Sequence, residues 1–96
     1  MENGAMGGHW HTIGILRELT HEVDEKRWIA SVDIGSGTLT LFINEKIGNI
    51  SNPVVDAARQ LIGQRVRADG EISPWSRDWV RRPYWLTPSS IRAADA

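Results

Sequence analysis

The stretch SNPVVDAARQLIG, residues 51–63, has the pattern of a short helix and separates two groups of predicted strands. Asn52 is a favourable N-cap, and Pro53 suits the first helical position because its missing N–H is harmless there. Gly63 can adopt the left-handed conformation that ends many helices. The apolar residues between these signals recur at helical spacing: Val54, Ala57, Ala58, Leu61 and Ile62. The sequence therefore predicts one helix that begins near Pro53.

An extended segment, HTIGILREL at residues 11–19, precedes the helix at the start of the predicted fold. Alternation along a strand places Ile13 and Ile15 on one face. Gly14 between them indicates a bulge or a close approach of another backbone, because glycine has no side chain to obstruct either. The polar, acidic segment 20–26 is predicted to be the connection to the next strand.

A hairpin is predicted where residues 27–34 and 38–43 alternate apolar and polar side chains around the turn GSG. The inward side chains share the apolar face: Trp28, Ala30, Val32 and Ile34 in the first strand, and Leu39, Leu41 and Ile43 in the second. Trp28 is therefore assigned to the core. Arg27 and Phe42 belong to the opposite face, which makes Phe42 an exposed aromatic residue in this prediction.

Two more strands are predicted after the helix, joined by a long connection. Residues 64–72 alternate Val66 and Ala68 with outward polar residues: Arg65, Arg67 and Asp69. Residues 84–94 form the last strand. Pro88 confines that strand to a sheet edge or a bulge, because proline has no N–H to donate to a neighbouring strand.

The resulting order, β-β-β-α-β-β, resembles that of the OB-fold, the oligonucleotide/oligosaccharide-binding domain. The resemblance is sharpest in GQRVRADGEI (63–72) followed by YWLTPSSI (84–91), and it covers residues 11–93. Many OB domains have a glycine after the helix, an alternating strand with a second glycine, a variable loop and a final strand ending in Ser-Ile. The resemblance implies an all-β fold with one helix, a five-stranded OB-like Greek-key barrel whose closure removes exposed edges. An SH3-like barrel is the competing fold, and the helix before the fourth strand argues against it.

Length and composition indicate one soluble domain. Ninety-six residues with 41% hydrophobic and 24% charged residues suit a single small core. We assign residues 1–10 to a flexible N-terminal arm and residues 11–96 to the barrel. Without cysteine, the chain has no disulfide, thiolate nucleophile or cysteine-based metal site. No apolar run reaches the roughly 18 residues of a membrane span and no signal peptide is recognisable, so we expect a cytoplasmic protein with no membrane partner.

Charge is distributed unevenly between the two halves of the chain. Residues 1–56 contain four basic and eight acidic residues, a balance of −4, whereas residues 57–96 contain seven arginines and four acids, a balance of +3. A basic half made only of arginine favours a planar or phosphate-bearing partner, because the guanidinium group binds both well. The simpler alternative is that these arginines coat the surface.

The segment SPWSRDWVRRPYWL, residues 73–86, holds three of the five tryptophans, the single tyrosine and three arginines. In OB-folds the loop between the last two strands binds ligands together with the face of strands two and three. Aromatic rings stack on bases, and arginine pairs with phosphates. On the OB resemblance we therefore predict eleven nucleic-acid-binding residues: Arg27, Phe42, Arg65, Arg67, Trp75, Arg77, Trp79, Arg81, Arg82, Tyr84 and Trp85. The alternative is that Trp79 and Trp85 are core residues on which Arg81 and Arg82 stack for stability.

The leading functional hypothesis is a small protein that binds single-stranded DNA or RNA through aromatic stacking and an arginine track, with little sequence specificity. The alternative is a protein-interaction module that uses the same Trp/Arg-rich segment as a hot spot, either to form a homo-oligomer or to dock into a larger complex. Tryptophan, tyrosine and arginine are enriched in interface hot spots, which keeps this alternative open. The acidic N-terminal half is the main point against nucleic acid.

Catalytic, metal and cofactor sites are not expected. His9 and His11 alternate in HWH, with His21 as a third candidate ligand, but neither cysteine nor an obvious fourth ligand accompanies them. No nucleophile elbow, HExxH motif or phosphate-cradling loop occurs. We therefore predict a non-enzymatic protein without a cofactor.

Overall fold

The computed structural model describes residues 8–72 and 85–94. Within these ranges the chain is mostly β-strand with one helix, which confirms the predicted class at this level. The elements are β1 (Gly8–Glu22), β2 (Arg27–Asp33), β3 (Thr38–Asn44), β4 (Lys46–Ile47), β5 (Ile50–Ser51), α1 (Pro53–Gln60), β6 (Arg65–Ile72), β7 (Trp85–Leu86) and β8 (Pro88–Ala93). In the described chain, no helix has the length and apolarity that crossing a membrane requires.

Six of the strands form one sheet in the order β7-β3-β2-β1-β6-β8. Neighbouring strands are antiparallel except β7 and β3, which are parallel. β1 takes part in two ladders: its first half pairs with β6, its second half pairs with β2, and Ile15 belongs to both. Among the described strands, the ladders run from β7 to β8 without closing into a ring. β4 and β5 form a separate hairpin before α1, which the sequence patterns did not predict.

Gly14 explains how β1 passes from one ladder to the other. A Cβ atom on Gly14 would lie 2.4 Å from the backbone carbonyl oxygen of Asp33 and 2.8 Å from a methyl group of Val32. The predicted close approach of another backbone is therefore confirmed. The irregularity in the β1–β2 ladder lies farther along the strand, between Leu16 and Glu18.

β1 is longer at both ends than predicted. Residues 8–10 pair with β6, so they belong to the sheet and not to the arm to which the sequence pattern assigned them. The physical cause is Trp10, which is only 9% exposed and packs on Gly70, where an added Cβ would lie 2.6 Å from the indole ring. At its other end β1 continues to Glu22, so the connection to β2 consists of residues 23–26 and not of the predicted residues 20–26.

The core consists of buried side chains from the sheet and from α1. The fully buried side chains include the central inward residues of the predicted hairpin and of the following strand: Ala30, Val32, Leu41, Ile43, Val66 and Ala68. Leu16 and Val55 are also buried, although no pattern assigned them to the core. Ile34 and Ile62, which the apolar patterns placed inside, are exposed because each lies just beyond the end of its element.

The start of α1 is determined by Asn52, which is buried. Its side-chain oxygen accepts the Val54 N–H at 3.0 Å, and its side-chain nitrogen donates to the Asn44 carbonyl oxygen at 3.0 Å. Beyond the helix, Gly63 has a φ of +87°, in the left-handed region, and its N–H donates to the Leu16 carbonyl oxygen at 2.7 Å. The predicted start of α1 is confirmed, but the helix ends at Gln60, so Gly63 ends the turn that follows the helix and not the helix itself. The hydrogen bonds of Asn52 and Gly63 connect the two ends of this region to β3 and β1.

Candidate nucleic-acid interface

The Trp/Arg-rich segment lies mostly outside the described residues. This applies to six of the predicted binding residues: Trp75, Arg77, Trp79, Arg81, Arg82 and Tyr84. The strands on either side of the segment are described. β6 ends at Ile72, whose backbone pairs with Gly8, and the backbone of Trp85 pairs with Thr40 in the parallel β7–β3 ladder. The chain therefore re-enters the sheet beside β3.

Arg27 and Phe42 meet on the outward face of β2 and β3. The guanidinium carbon of Arg27 lies 4.8 Å from the centroid of the Phe42 ring. The Nε of Arg27 also donates to Glu22 Oε1 at 2.6 Å. Arg27 thus forms a cation–π contact and an ion pair at the same time, and its charge is already balanced by a neighbouring acid.

Phe42 is not the exposed aromatic residue that the alternation predicted. Only 8% of its surface is accessible, although it lies on the side of β3 opposite to Leu41 and Ile43. The Arg27 side chain provides part of its cover. Alternation assigns a residue to one face of a strand, but it carries no information about what packs on that face. A base can therefore reach the Phe42 ring only if its present cover moves.

Three arginines lie on the outward face of β6 and β8: Arg65, Arg67 and Arg92. We call them the arginine patch. Arg92 was missed by the sequence prediction, yet it pairs directly with Arg67 across the β6–β8 ladder. The sequence pattern could have identified Arg92 as an outward residue, because the exposed Ser90 and Arg92 alternate with the buried Ile91 in the final strand.

Arg67 is held by a carboxylate next to it in the arginine patch. Its Nε donates to the two oxygens of Asp69 at 3.2 and 3.1 Å, and its Nη2 donates to one of them at 3.1 Å. These bonds hold the pKa of the Asp69 carboxyl below its usual range, with a smaller contribution from His9. By contrast, no described carboxylate forms an ion pair with Arg65 or Arg92.

The two outward groups of predicted residues are far apart along the sheet. Arg65 pairs with Ile15 of β1, whereas Arg27 pairs with Glu22, seven residues farther along the same strand. At about 3.3 Å per residue, this spacing corresponds to about 23 Å. Among the described residues, the predicted arginine track is therefore two separate groups and not one continuous surface.

Trp28 lies at the edge of the core, where polar partners also contact it. It is half-buried and packs against the core cluster, so its assignment to the core holds only for part of the ring. The His21 ring is stacked on it, with centroids 4.1 Å apart and planes inclined by 4°. The Arg59 guanidinium carbon lies 5.7 Å from its ring centroid. Trp28 thereby connects β1, β2 and α1.

The described histidines do not come together as a metal site. In residues 8–72 and 85–94, no group of three or more His, Cys, Asp or Glu side chains is arranged to hold a metal ion. His9 lies 3.4 Å from an oxygen of Asp69, whereas His21 contacts the Glu45 carboxylate. Each histidine of these pairs has a single acidic partner, at a different place in the sheet.

Comparisons with known proteins assign the chain to no family and to no function. No protein-family model matches the chain, and no curated protein does. A functional assignment therefore rests on the residues and their arrangement.

Proposed function

We propose that this chain is an OB-like domain that binds single-stranded nucleic acid with little sequence specificity. The parallel pairing of β7 with β3 is the observation that carries this proposal. It brings the downstream end of the Trp/Arg-rich segment to Thr40, two residues from Phe42 on the same side of β3. The segment richest in stacking residues is thus joined to the face on which Arg27 and Phe42 meet.

The strand connections support the OB-like Greek-key barrel that the proposal assumes. β7 pairs with β3 and β8 pairs with β6, which are well separated in the sheet order. Only Thr87 lies between β7 and β8, so we infer that the two are halves of one fifth strand. A strand that bonds to both ends of a four-stranded order closes it into a barrel. The proposed strand connections are those of a five-stranded OB-fold.

The proposed binding chemistry divides between rings and guanidinium groups. Every base presents a flat π-face, so stacking on Trp75, Trp79 and Tyr84 tolerates any sequence. Arg81 and Arg82 bind phosphate oxygens through paired N–H donors, and phosphates are the same in every nucleotide. Since neither contact distinguishes one base from another, the expected specificity is low.

Trp75→Ala tests the stacking role, because Trp75 follows Pro74 at the start of the segment, where packing in a barrel is least expected. Oligonucleotide binding should weaken by about 1–3 kcal/mol, the usual contribution of stacking one base. Stability should change by less than about 1 kcal/mol. Fluorescence titration with a short oligonucleotide measures the first quantity, and thermal unfolding measures the second. The wild-type titration, repeated at several salt concentrations, should give a slope of about −0.7 in log K against log salt for each phosphate bound.

Trp10→Ala is the matched control, since Trp10 is a buried tryptophan of β1. It should lower stability by about 3–5 kcal/mol. A loss of that size in Trp75→Ala would identify Trp75 as a core residue and contradict the proposal. Unchanged stability with unchanged oligonucleotide binding would contradict it as well, and a salt-independent affinity would exclude the arginines as its source.

An exposed apolar hairpin favours a second candidate, the protein-interaction module. Ile47 and Ile50 pair across β4 and β5 and are 57% and 69% exposed. Adjacent exposed apolar side chains of this kind are typical of interfaces between proteins. If the chain forms a homo-oligomer through this hairpin, Ile50→Lys should dissociate it in sedimentation velocity. A wild-type chain that stays monomeric over the accessible concentration range would contradict the homo-oligomer.

A further inference from the structure

The arginine patch borders a depression on the outward face of β1, β6 and β8. The ladder register aligns Ile13, Arg67 and Arg92 side by side across the three strands. With Ala93 and Ala94 they line a depression of about 310 Å³. The depression therefore combines two guanidinium groups with an apolar wall, at the lower end of the size range of small-molecule sites.

The charge of this surface is unbalanced. The Asp69 oxygens accept hydrogen bonds from Arg67, and the Asp69 carboxylate also attracts Arg92. Asp33, which pairs with Arg17, lies across β1 from Arg65, because Ile15 pairs with both residues. Glu71 lies beyond Asp69 in β6, opposite His9 of β1. Arg65 and Arg92 form no ion pair with a described carboxylate, so their charges are less completely balanced than the charge of Arg67. Like charges repel at this range, and a bound anion relieves that repulsion.

We propose that the arginine patch is a phosphoanion-binding site separate from the Trp/Arg-rich segment. Guanidinium groups bind phosphate oxygens through planar, paired donors that match their geometry. The exposed Ile13 beside them suits the organic part of a phosphate ester. The phosphate comes from a nucleic-acid backbone or from a free phosphoanion. The site does not rest on the proposed nucleic-acid function, because a free phosphoanion needs no stacking residue.

Titrations followed by ¹H–¹⁵N correlation spectra of the full chain test the site, with pyrophosphate in one arm and a short oligothymidylate in the other. At low salt, pyrophosphate should shift the amide signals of Arg67, Arg92 and Ala93. Arg92→Ala should weaken this binding by up to about fivefold, the scale of an exposed charge pair. Asp69→Asn should strengthen the binding, because it releases Arg67 from its carboxylate.

Lys46→Ala is the matched control, since it removes one positive charge from β4, outside the main sheet. It should leave pyrophosphate affinity unchanged. Arg92→Lys should fall between wild type and Arg92→Ala, because it keeps the charge and loses the planar fork of donors. The spectra themselves report whether each variant remains folded.

The two arms distinguish the sources of the phosphate. Shifts at the patch in both arms mean that the site accepts either source, and shifts with the oligonucleotide alone assign it to the nucleic-acid backbone. The absence of shifts at the patch in both arms overturns the proposal, and so does equal affinity in Arg92→Ala and Lys46→Ala. Trp75→Ala separates this site from the proposed function, because it should weaken oligonucleotide binding and leave the pyrophosphate shifts unchanged.

Discussion

At Gly14 the backbone of β2 approaches β1 too closely to leave room for a side chain. An added Cβ would lie 2.4 Å from a backbone oxygen of Asp33, which cannot rotate away as a flexible side chain does. We expect Gly14→Ala to lower the free energy of unfolding by about 1–3 kcal/mol, the usual cost of inserting a methyl group into packed structure. Gly37→Ala is the control, because nothing lies within 4 Å of a Cβ at that position. Equal urea midpoints for the two variants would contradict the close approach.

Through the Asp69 carboxyl, the free energy of unfolding should depend on pH. The hydrogen bonds from Arg67 lower the pKa of this carboxyl in the folded chain below the ordinary value of 3.8. A carboxyl with a lowered folded pKa contributes stability above its unfolded pKa and loses it as the pH falls through the folded pKa. Asp69→Asn should therefore lose less stability than wild type when the pH is lowered from 5 to about 2. Parallel stability–pH curves from chemical unfolding would contradict this account.

Asp33 provides an independent comparison for the same acid range. The Gly35 N–H donates to its carboxylate at 2.8 Å and holds its pKa down, with Arg17 as the second cause. Asp33→Asn should therefore flatten the stability–pH curve in the same direction as Asp69→Asn. Because the two acids have different partners, the effects of the two substitutions should add in the double variant.

At the scale of the element, Asn52 connects the start of α1 to the end of β3. Asn52→Ala removes both the cap on Val54 and the donor to the Asn44 carbonyl, so we expect a loss of about 1–2 kcal/mol in the free energy of unfolding. Asn52→Asp keeps the capping oxygen and removes only the donor, so its loss should be smaller. Asn49→Ala, in the exposed β4–β5 turn, is the control for denaturant unfolding. If Asn52→Ala and Asn49→Ala had equal midpoints, the capping account would be wrong.

The β4–β5 hairpin has a local turn signal in the sequence that the alternation pattern does not reveal. Gly48 and Asn49 form a two-residue connection between the paired Ile47 and Ile50, and Gly48 has a φ of +63°. A Gly-Asn pair between two extended residues is a hairpin signal. It was overlooked because each strand has only two residues, too few to show alternation.

For the whole molecule, the proposed closure of the barrel predicts how fast individual amide hydrogens exchange with solvent. The Ile34 N–H donates to the Gly37 carbonyl at the β2–β3 turn. Hydrogen-bonded and non-hydrogen-bonded pairs alternate along an antiparallel ladder, so the N–H groups of Thr40 and Phe42 point away from β2. β7 lies on that side of β3.

In a closed barrel the amides of Thr40 and Phe42 should exchange with deuterium about as slowly as that of Leu41, which points toward β2. Thr38 is the control, because its N–H points away from β2 and lies two residues before the first pair of the β7 ladder, whereas Phe42 directly follows the last pair. Native-state hydrogen exchange measures all four amides. Fast exchange at Thr40 and Phe42, similar to that at Thr38, would show that the edge of β3 is open.

Features contained in contiguous residues were predictable from the sequence. The cap at Asn52 defines the start of α1, and alternation located the hairpin and the inward residues of β6, such as Val66. The same alternation placed Arg27 and Phe42 on one outward face. These predictions succeed because backbone preferences, capping and side-chain periodicity act over a few neighbouring residues.

Features that depend on residues far apart in the chain required the folded structure. Trp10 enters the core because Gly70, sixty residues away, leaves space for its ring, and Phe42 is buried although its strand pattern leaves it outside. Arg92 lies beside Arg67 because of the register between β6 and β8, two strands that a long connection separates in the chain. Strand pairing also places Arg65 and Arg27 far apart along β1. Periodicity defines the faces of each strand, but register and cover follow from the packing energy of the whole molecule, which no local pattern contains.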